Sequence, residues 1–215
     1  NVYGYNLEEG AKELIAPNFY DDNKEIKIPL DPTKTARENS QKYFDRYGKL
    51  KRTAEALDTL LAETKAEIDH LESIQNSLDI ALSADDLVQI KQELMEYGFI
   101  KKHRTGKKEK VKSKPFHYIS SDGYDMYVGK NNYQNDELTF KFATGNDWWF
   151  HAKGMPGSHV VVKNKGEEMP DRVYEEAAML AGYYSKGRES DKIEIDYLQK
   201  KNVKKPAGSA PGFVV

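Results

Sequence analysis

His151, Ser158 and His159 fall within the stretch "DWWFHAKGMPGSHVVVKNKG", Asp147–Gly166, which opens on an acid. These are the residue types of a nucleophilic triad, in which a base takes the serine proton and a carboxylate orients the base. The context argues against that chemistry. Ser158 follows a Pro156-Gly157 turn, not the strand-turn-helix elbow of Gly-x-Ser-x-Gly hydrolases. The two histidines could instead serve a metal. They stand eight residues apart, however, His117 is remote in sequence, and the chain has no Cys and no His-x-x-x-His pair to complete a ligand set. No glycine-rich phosphate loop points to a nucleotide. No catalytic residue, metal or cofactor is therefore expected, and the stretch reads as a binding surface.

In a strand, residues two apart share a face. Trp148 and Phe150 take one side; Trp149, His151 and Lys153 take the other. One set is expected in the core. The other would offer a ring, an imidazole and an ammonium together, which is how proteins hold single-stranded or looped RNA. Lys163 and Lys165 extend the charge. A stronger basic signal lies upstream in "KKHRTGKKEKVKSK", where Lys101, Lys102, Arg104, Lys107, Lys108, Lys110, Lys112 and Lys114 stand against a single Glu. Such a run binds phosphates by displacing their counterions. The net charge of −2 hides this polarity. Residues 1–100 carry 12 Lys and Arg against 20 Asp and Glu, whereas residues 101–215 carry 21 against 15.

The elements that must position these residues divide the chain into four parts. Residues 1–32 are mostly irregular, with one short strand over Glu25–Leu30 whose Pro29 argues for an edge. Asp31-Pro32 then breaks the chain and Thr33 or Thr35 caps a helix. From Tyr43, apolar and aromatic residues recur at alternating steps of four and three through Tyr47, Leu50, Leu57, Leu61, Ile68, Leu71 and Leu78 to Leu82. That narrow seam of period 3.5 argues for a coiled-coil arm over 33–98. Ser83 and Asp86 form a capping box for a second helix, and Gly98 ends it. The second helix is too short to cover the seam, so a partner arm is expected upstream or in a second copy of the chain.

Residues 99–114 read as a basic linker and 115–215 as a compact domain. In that domain "PFHYISSDGYDMYVGK" is a hairpin around a Ser-Asp-Gly turn. "DELTFKFA" is a strand or a short helix, "DWWFHAK" and "SHVVVKN" are paired strands, "MPDRVYEEAAMLAGYYSKG" is a helix, and "KIEIDYLQ" is a strand. The fold class is thus α+β: a long coiled-coil arm followed by a mixed or antiparallel sheet with one main helix. No run approaches the roughly 18 apolar residues of a membrane span. The chain opens on Asn1 instead of Met, so its true start is expected further upstream.

Four motifs, in order, carry a resemblance: "IPLDPTKTARENSQKYFDRYGKLK", "YVGKNNYQNDELTF", "DWWFHAKGMPGSHVVVK" and "VKKPAGSAPGFVV". Together they resemble the C-terminal half of NFACT proteins, whose bacterial RqcH group is also described as fibronectin/fibrinogen-binding proteins of Gram-positive bacteria. The resemblance implies an antiparallel coiled coil with its first arm upstream, and an NFACT-R domain over 115–215. It implies a cytoplasmic translation factor that binds stalled large ribosomal subunits, contacts rRNA and tRNA, and supports alanine tailing of the nascent chain. It also adds Asn131 and Asn132 of "GKNN" and His159 of "PGSHV" to the candidate RNA contacts. The alternative from a different class is a cell-surface adhesin for host fibronectin or fibrinogen.

Overall fold

A computed structural model describes residues 7–101 and 113–215. The chain forms two compact units, Asn1–Lys65 and Ala66–Val215.

The first unit opens on a hairpin of β1, Glu13–Asn18, and β2, Lys24–Pro29, paired from Glu13↔Pro29 to Asn18↔Lys24. The sequence reading identifies β2 but not β1. The missed signal is the connecting turn, where Asp22 and Asn23 both take positive φ, 49° and 58°. Asp and Asn tolerate that region, and such turns bring two antiparallel strands together. Helix α1, Ala36–Ile80, then begins. Thr35 caps it: the Thr35 N–H donates to Glu38 Oε2 at 2.8 Å and the Glu38 N–H returns to Thr35 Oγ1. The Asn39 amide is buried and ties this start to Asp31 through both its oxygen and its nitrogen. The seam residues Tyr47, Leu50, Leu57 and Leu61 are exposed.

The second unit holds the end of α1, helix α2 (Ala84–Glu96), and a five-stranded antiparallel sheet of β3 (Phe116–Ile119), β4 (Asp125–Val128), β5 (Trp148–Ala152), β6 (Val160–Val162) and β7 (Ile195–Gln199). The strand order is β3-β4-β6-β5-β7. Helix α3, Asn132–Glu137, continues into a π-helical turn over Leu138–Phe142, so "DELTFKFA" is helical and not a strand. Helix α4, Asp171–Tyr183, lies on one face of the sheet. There Val173, Ala177 and Ala181 pack on Met126, Val128, Phe150, Val160 and Val162. The π turn and the C-terminal segment cover the other face, where Leu138, Ala143 and Val203 pack on Trp149 and Val161. With cover on both sides, β6 is apolar and buried throughout, as a doubly covered strand must be.

The expected division into an arm over 33–98 and a domain over 115–215 differs from the packing. Ile74, Ile80 and Ile90 are buried, and polar groups of α2 reach the sheet domain: Lys130 Nζ meets Asp86 Oδ1 at 3.0 Å and Asn132 Nδ2 meets Glu93 Oε1 at 2.8 Å. The last turns of α1 and all of α2 therefore belong to the second unit. No helix among the described residues is long and apolar enough to cross a membrane.

Candidate nucleic-acid interface

Strand β5 pairs with β6 from Trp148↔Val162 to Phe150↔Val160, which makes the expected hairpin. Its two faces do not divide into core and solvent. Phe150 is wholly buried under α4, and Trp148 lies partly buried with its ring 4.9 Å from that of Tyr174. Trp149, on the opposite face, is only 5% exposed. The alternation of side chains chooses between two cores, because each face of the sheet has its own cover.

Four candidate RNA contacts are therefore interior: Trp149, His159, Asn131 and Asn132. The His159 backbone N–H donates to Asn135 Oδ1 at 3.0 Å, and its Nδ1 lies 2.7 Å from Thr139 Oγ1. Burial, and after it the neighbouring His151, hold the His159 imidazole well below the usual histidine range. It is neutral at physiological pH and locked in place. His151 is half-buried, and burial lowers its pKa as well. Ser158 is buried too, and no hydrogen bond joins it to either histidine. Among the described residues no three metal-ligating side chains come together.

Asn131 and Asn132 are structural in a different way. Asn131 caps α3, its oxygen accepting from the Gln134 N–H at 3.0 Å, while its nitrogen donates to Gln89 of α2. Asn132 donates to Ser73 of α1 and to Glu93 of α2, both at 2.8 Å, and His70 Nε2 lies 2.7 Å from the same Glu93 oxygen. Asp86 completes this buried network. Burial acts to raise its carboxyl, but Ser113, the Leu82 N–H and Lys130 outweigh it and hold the pKa at about 2. Gly129 precedes the network for a steric reason. A Cβ there would lie 2.1 Å from Asn135 Oδ1 and 2.9 Å from the Asn135 nitrogen.

The lysines fare differently. Lys153 is exposed and pairs at 3.4 Å with a Glu194 that is itself mostly in water, a pair of little energetic weight. Lys101 and Lys114 are exposed, whereas Lys102, Arg104, Lys107, Lys108, Lys110 and Lys112 lie outside the described residues. Lys163 and Lys165 sit over rings, 4.8 Å from the Phe142 centroid and 4.6 Å from that of Tyr124. Lys130 and Lys200 do the same over Phe116 and Phe140. Each such ammonium gains from the ring's negative face.

Asp147, 1% exposed, organises this edge. Its carboxylate accepts from Lys163 Nζ and from the N–H groups of Thr144 and Asn164. Burial pushes that carboxyl up, but these donors prevail and keep it below the usual carboxylate range. The Lys200 N–H also bonds the Asp147 carbonyl at 2.8 Å, so Lys163 and Lys200 are both anchored at Asp147.

The sequence reading missed His117, Tyr127 and Phe142. Pairing of β3 with β4 sets His117 opposite Tyr127, and their rings stack at 4.6 Å and 9°. The Phe142 ring meets Tyr127 edge-on at 4.7 Å. The signal was present in the alternation of "FHYI" and "DMYV", whose second faces hold His117 and Tyr127.

The model for the NFACT N-terminal and middle domains matches residues 1–113, and that for the NFACT protein RNA binding domain matches residues 114–212. The chain belongs to the NFACT family. An "Rqc2 homolog RqcH" of Streptococcus pneumoniae is 43% identical over 203 residues, 94% of this chain and 36% of that protein. The protein of the same name from Bacillus subtilis is 37% identical over 214 residues, 98% of this chain and 37% of its own length. This NFACT chain thus spans little more than a third of those relatives. Coiled-coil domain-containing protein 25 of Bos taurus is 31% identical over 101 residues, 45% of this chain and 48% of that protein. Among solved structures, the C-terminal part of the fibronectin/fibrinogen-binding protein from Streptococcus suis superposes with a TM-score of 0.75 at 43% identity, covering 85% of this chain and 72% of that one. The two NFACT models meet at residues 113 and 114, yet the Glu93, Asp86 and Asn132 network joins residues on both sides of that boundary.

Proposed function

We propose that this chain is the RNA- and ribosome-binding part of a ribosome-associated quality-control factor. In that role it binds large ribosomal subunits that still carry peptidyl-tRNA and supports alanine addition to the nascent chain in the cytoplasm. It acts by binding and supplies no catalytic group. The carrying observation is the match of the NFACT RNA binding domain model over residues 114–212. Similarity to RqcH proteins over nearly the whole chain supports it, as do the basic run from Lys101 to Lys114 and the lysines held over rings near Asp147.

The test is co-sedimentation with purified large subunits, with and without tRNA, between about 50 and 200 mM salt. Association should weaken steeply as salt rises. Neutralising Lys101, Lys107, Lys108 and Lys112 should flatten the log–log slope by about 0.7 to 0.9 for each phosphate that is no longer neutralised. Binding that ignores both salt and these substitutions would refute the reading. One observation favours a second reading, adhesion at the cell surface: the similar Streptococcus suis structure is that of a fibronectin/fibrinogen-binding protein. Strand addition to an edge of the five-stranded sheet is its physical mode. Fibronectin capture that survives the four lysine substitutions would support it.

A further inference from the structure

Most of the sheet face that holds Trp149 and Val161 is roofed by the π turn and the C-terminal segment. The roof stops at Phe142, which is 43% exposed. Beyond it Tyr127 is half-buried and His117, on the edge strand β3, keeps 46% of its side chain in solvent. Phe142, Tyr127 and His117 thus form a short open series of rings, with centroid steps of 4.7 and 4.6 Å. The series ends at the sheet edge. Among the described residues no third ring stacks with His117 beyond Tyr127. Asp125 holds the imidazole in orientation, its Oδ1 lying 2.7 Å from His117 Nε2.

Charge is distributed unevenly along this series. At the Phe142 end Lys163 lies over the ring with its charge matched by the buried Asp147 carboxylate, and the exposed Lys141, with no ion pair among the described residues, supplies the unmatched positive charge. At the His117 end stands the Asp125 carboxylate. A phosphate is favoured at the first end and disfavoured at the second, whereas a flat base can stack at the second.

We propose that His117, Tyr127 and Phe142 form a stacking platform for unpaired bases of single-stranded RNA, with Lys141 holding a flanking phosphate. This rests on the RNA-binding reading above and adds to it the kind of RNA and the face that takes it. Bases within an A-form duplex are already stacked on their neighbours and cannot reach these rings, so the site selects unpaired segments.

The whole chain is titrated with a 2-aminopurine-labelled single-stranded RNA of about ten nucleotides, a length on the order of one binding module's site, and with the same sequence annealed to its complement. His117→Ala should weaken single-strand binding about five- to tenfold, the low end expected for removal of one stacking plane. It should leave the salt slope and duplex binding unchanged. Phe142→Ala should weaken it similarly, while Lys141→Ala should reduce the salt slope by about 0.7. Thermal midpoints of each variant confirm folding, and the exposed positions of His117, Lys141 and Phe142 provide three independent probes. Equal losses for single strand and duplex, or none for either ring, would overturn the platform while leaving RNA binding standing. A wild-type chain that binds neither RNA overturns both. If the variants release the chain from intact subunits but bind free single-stranded RNA normally, the rings dock a protein and the platform is wrong.

Discussion

Asp86 offers the sharpest test of the joint between α2 and the sheet domain. Its side chain is 2% exposed and receives four donors: the N–H groups of Leu82 and Ser83 at 3.0 and 3.1 Å, Ser113 Oγ at 2.6 Å and Lys130 Nζ at 3.0 Å. These hold its pKa down at about 2 from an ordinary 3.8. A depressed carboxyl stabilises the fold above its unfolded-state pKa, and that stability disappears as pH falls through the folded-state value. The difference amounts to about 2 kcal/mol at neutral pH, of which about half is gone by pH 3. Asp86→Asn should therefore cost at least about 2 kcal/mol at pH 7, since Lys130 also loses its counter-ion in a site where its side chain is only 14% exposed. Urea denaturation followed by the fluorescence of Trp148 and Trp149 measures this directly. The gap between wild type and variant should narrow between about pH 4 and pH 3. A variant as stable as wild type at pH 7, or a gap that does not change with acid, would refute the reasoning.

Two further outcomes follow from the same structure. Burial lowers the pKa of both His151 and His159, so the fold favours their neutral forms and the unfolded chain binds more protons once pH drops below about 6.5. Stability should be fully present above that value and fall below it, by up to about 1.4 kcal/mol per pH unit for His159, whose pKa lies well below the ordinary value. His159→Gln should remove one such contribution from urea midpoints taken between pH 7.5 and pH 5, and identical slopes in the two proteins would contradict it. The exposed seam of α1 should pair two copies of the chain. Sedimentation should then show a concentration-dependent dimer, which Leu57→Asp with Leu61→Asp weakens about a hundredfold by placing charge in an apolar seam; a monomer at every concentration would exclude this pairing.

Local pattern carried much of the architecture. The step of four and three from Tyr43 onward marks α1, the Ser83–Asp86 pair marks the start of α2, and the Pro-Gly turn marks the β5–β6 hairpin. The candidate site was legible only in part. Lys163 and Lys165 stand at a surface, but Trp149 and His159 do not, and no local pattern singles out the rings of His117, Tyr127 and Phe142 as a group. Polar residues misled most. Asn131, Asn132, Gln134 and Glu93 look like solvated positions, yet all are buried because each finds partners on a different element.

What the sequence determined by itself is therefore what neighbours along the chain can decide: the period of each element, its caps, its turns, and which side chains share a face. Tertiary structure decided how many faces of the sheet are covered. Val203 must return from far along the chain to lie over Trp149 and Val161, and β7 must pair with β5 instead of its neighbour in sequence. A strand's alternation reports two faces with equal force. Only the arrival of a second layer determines whether a tryptophan on one of them meets RNA or the interior.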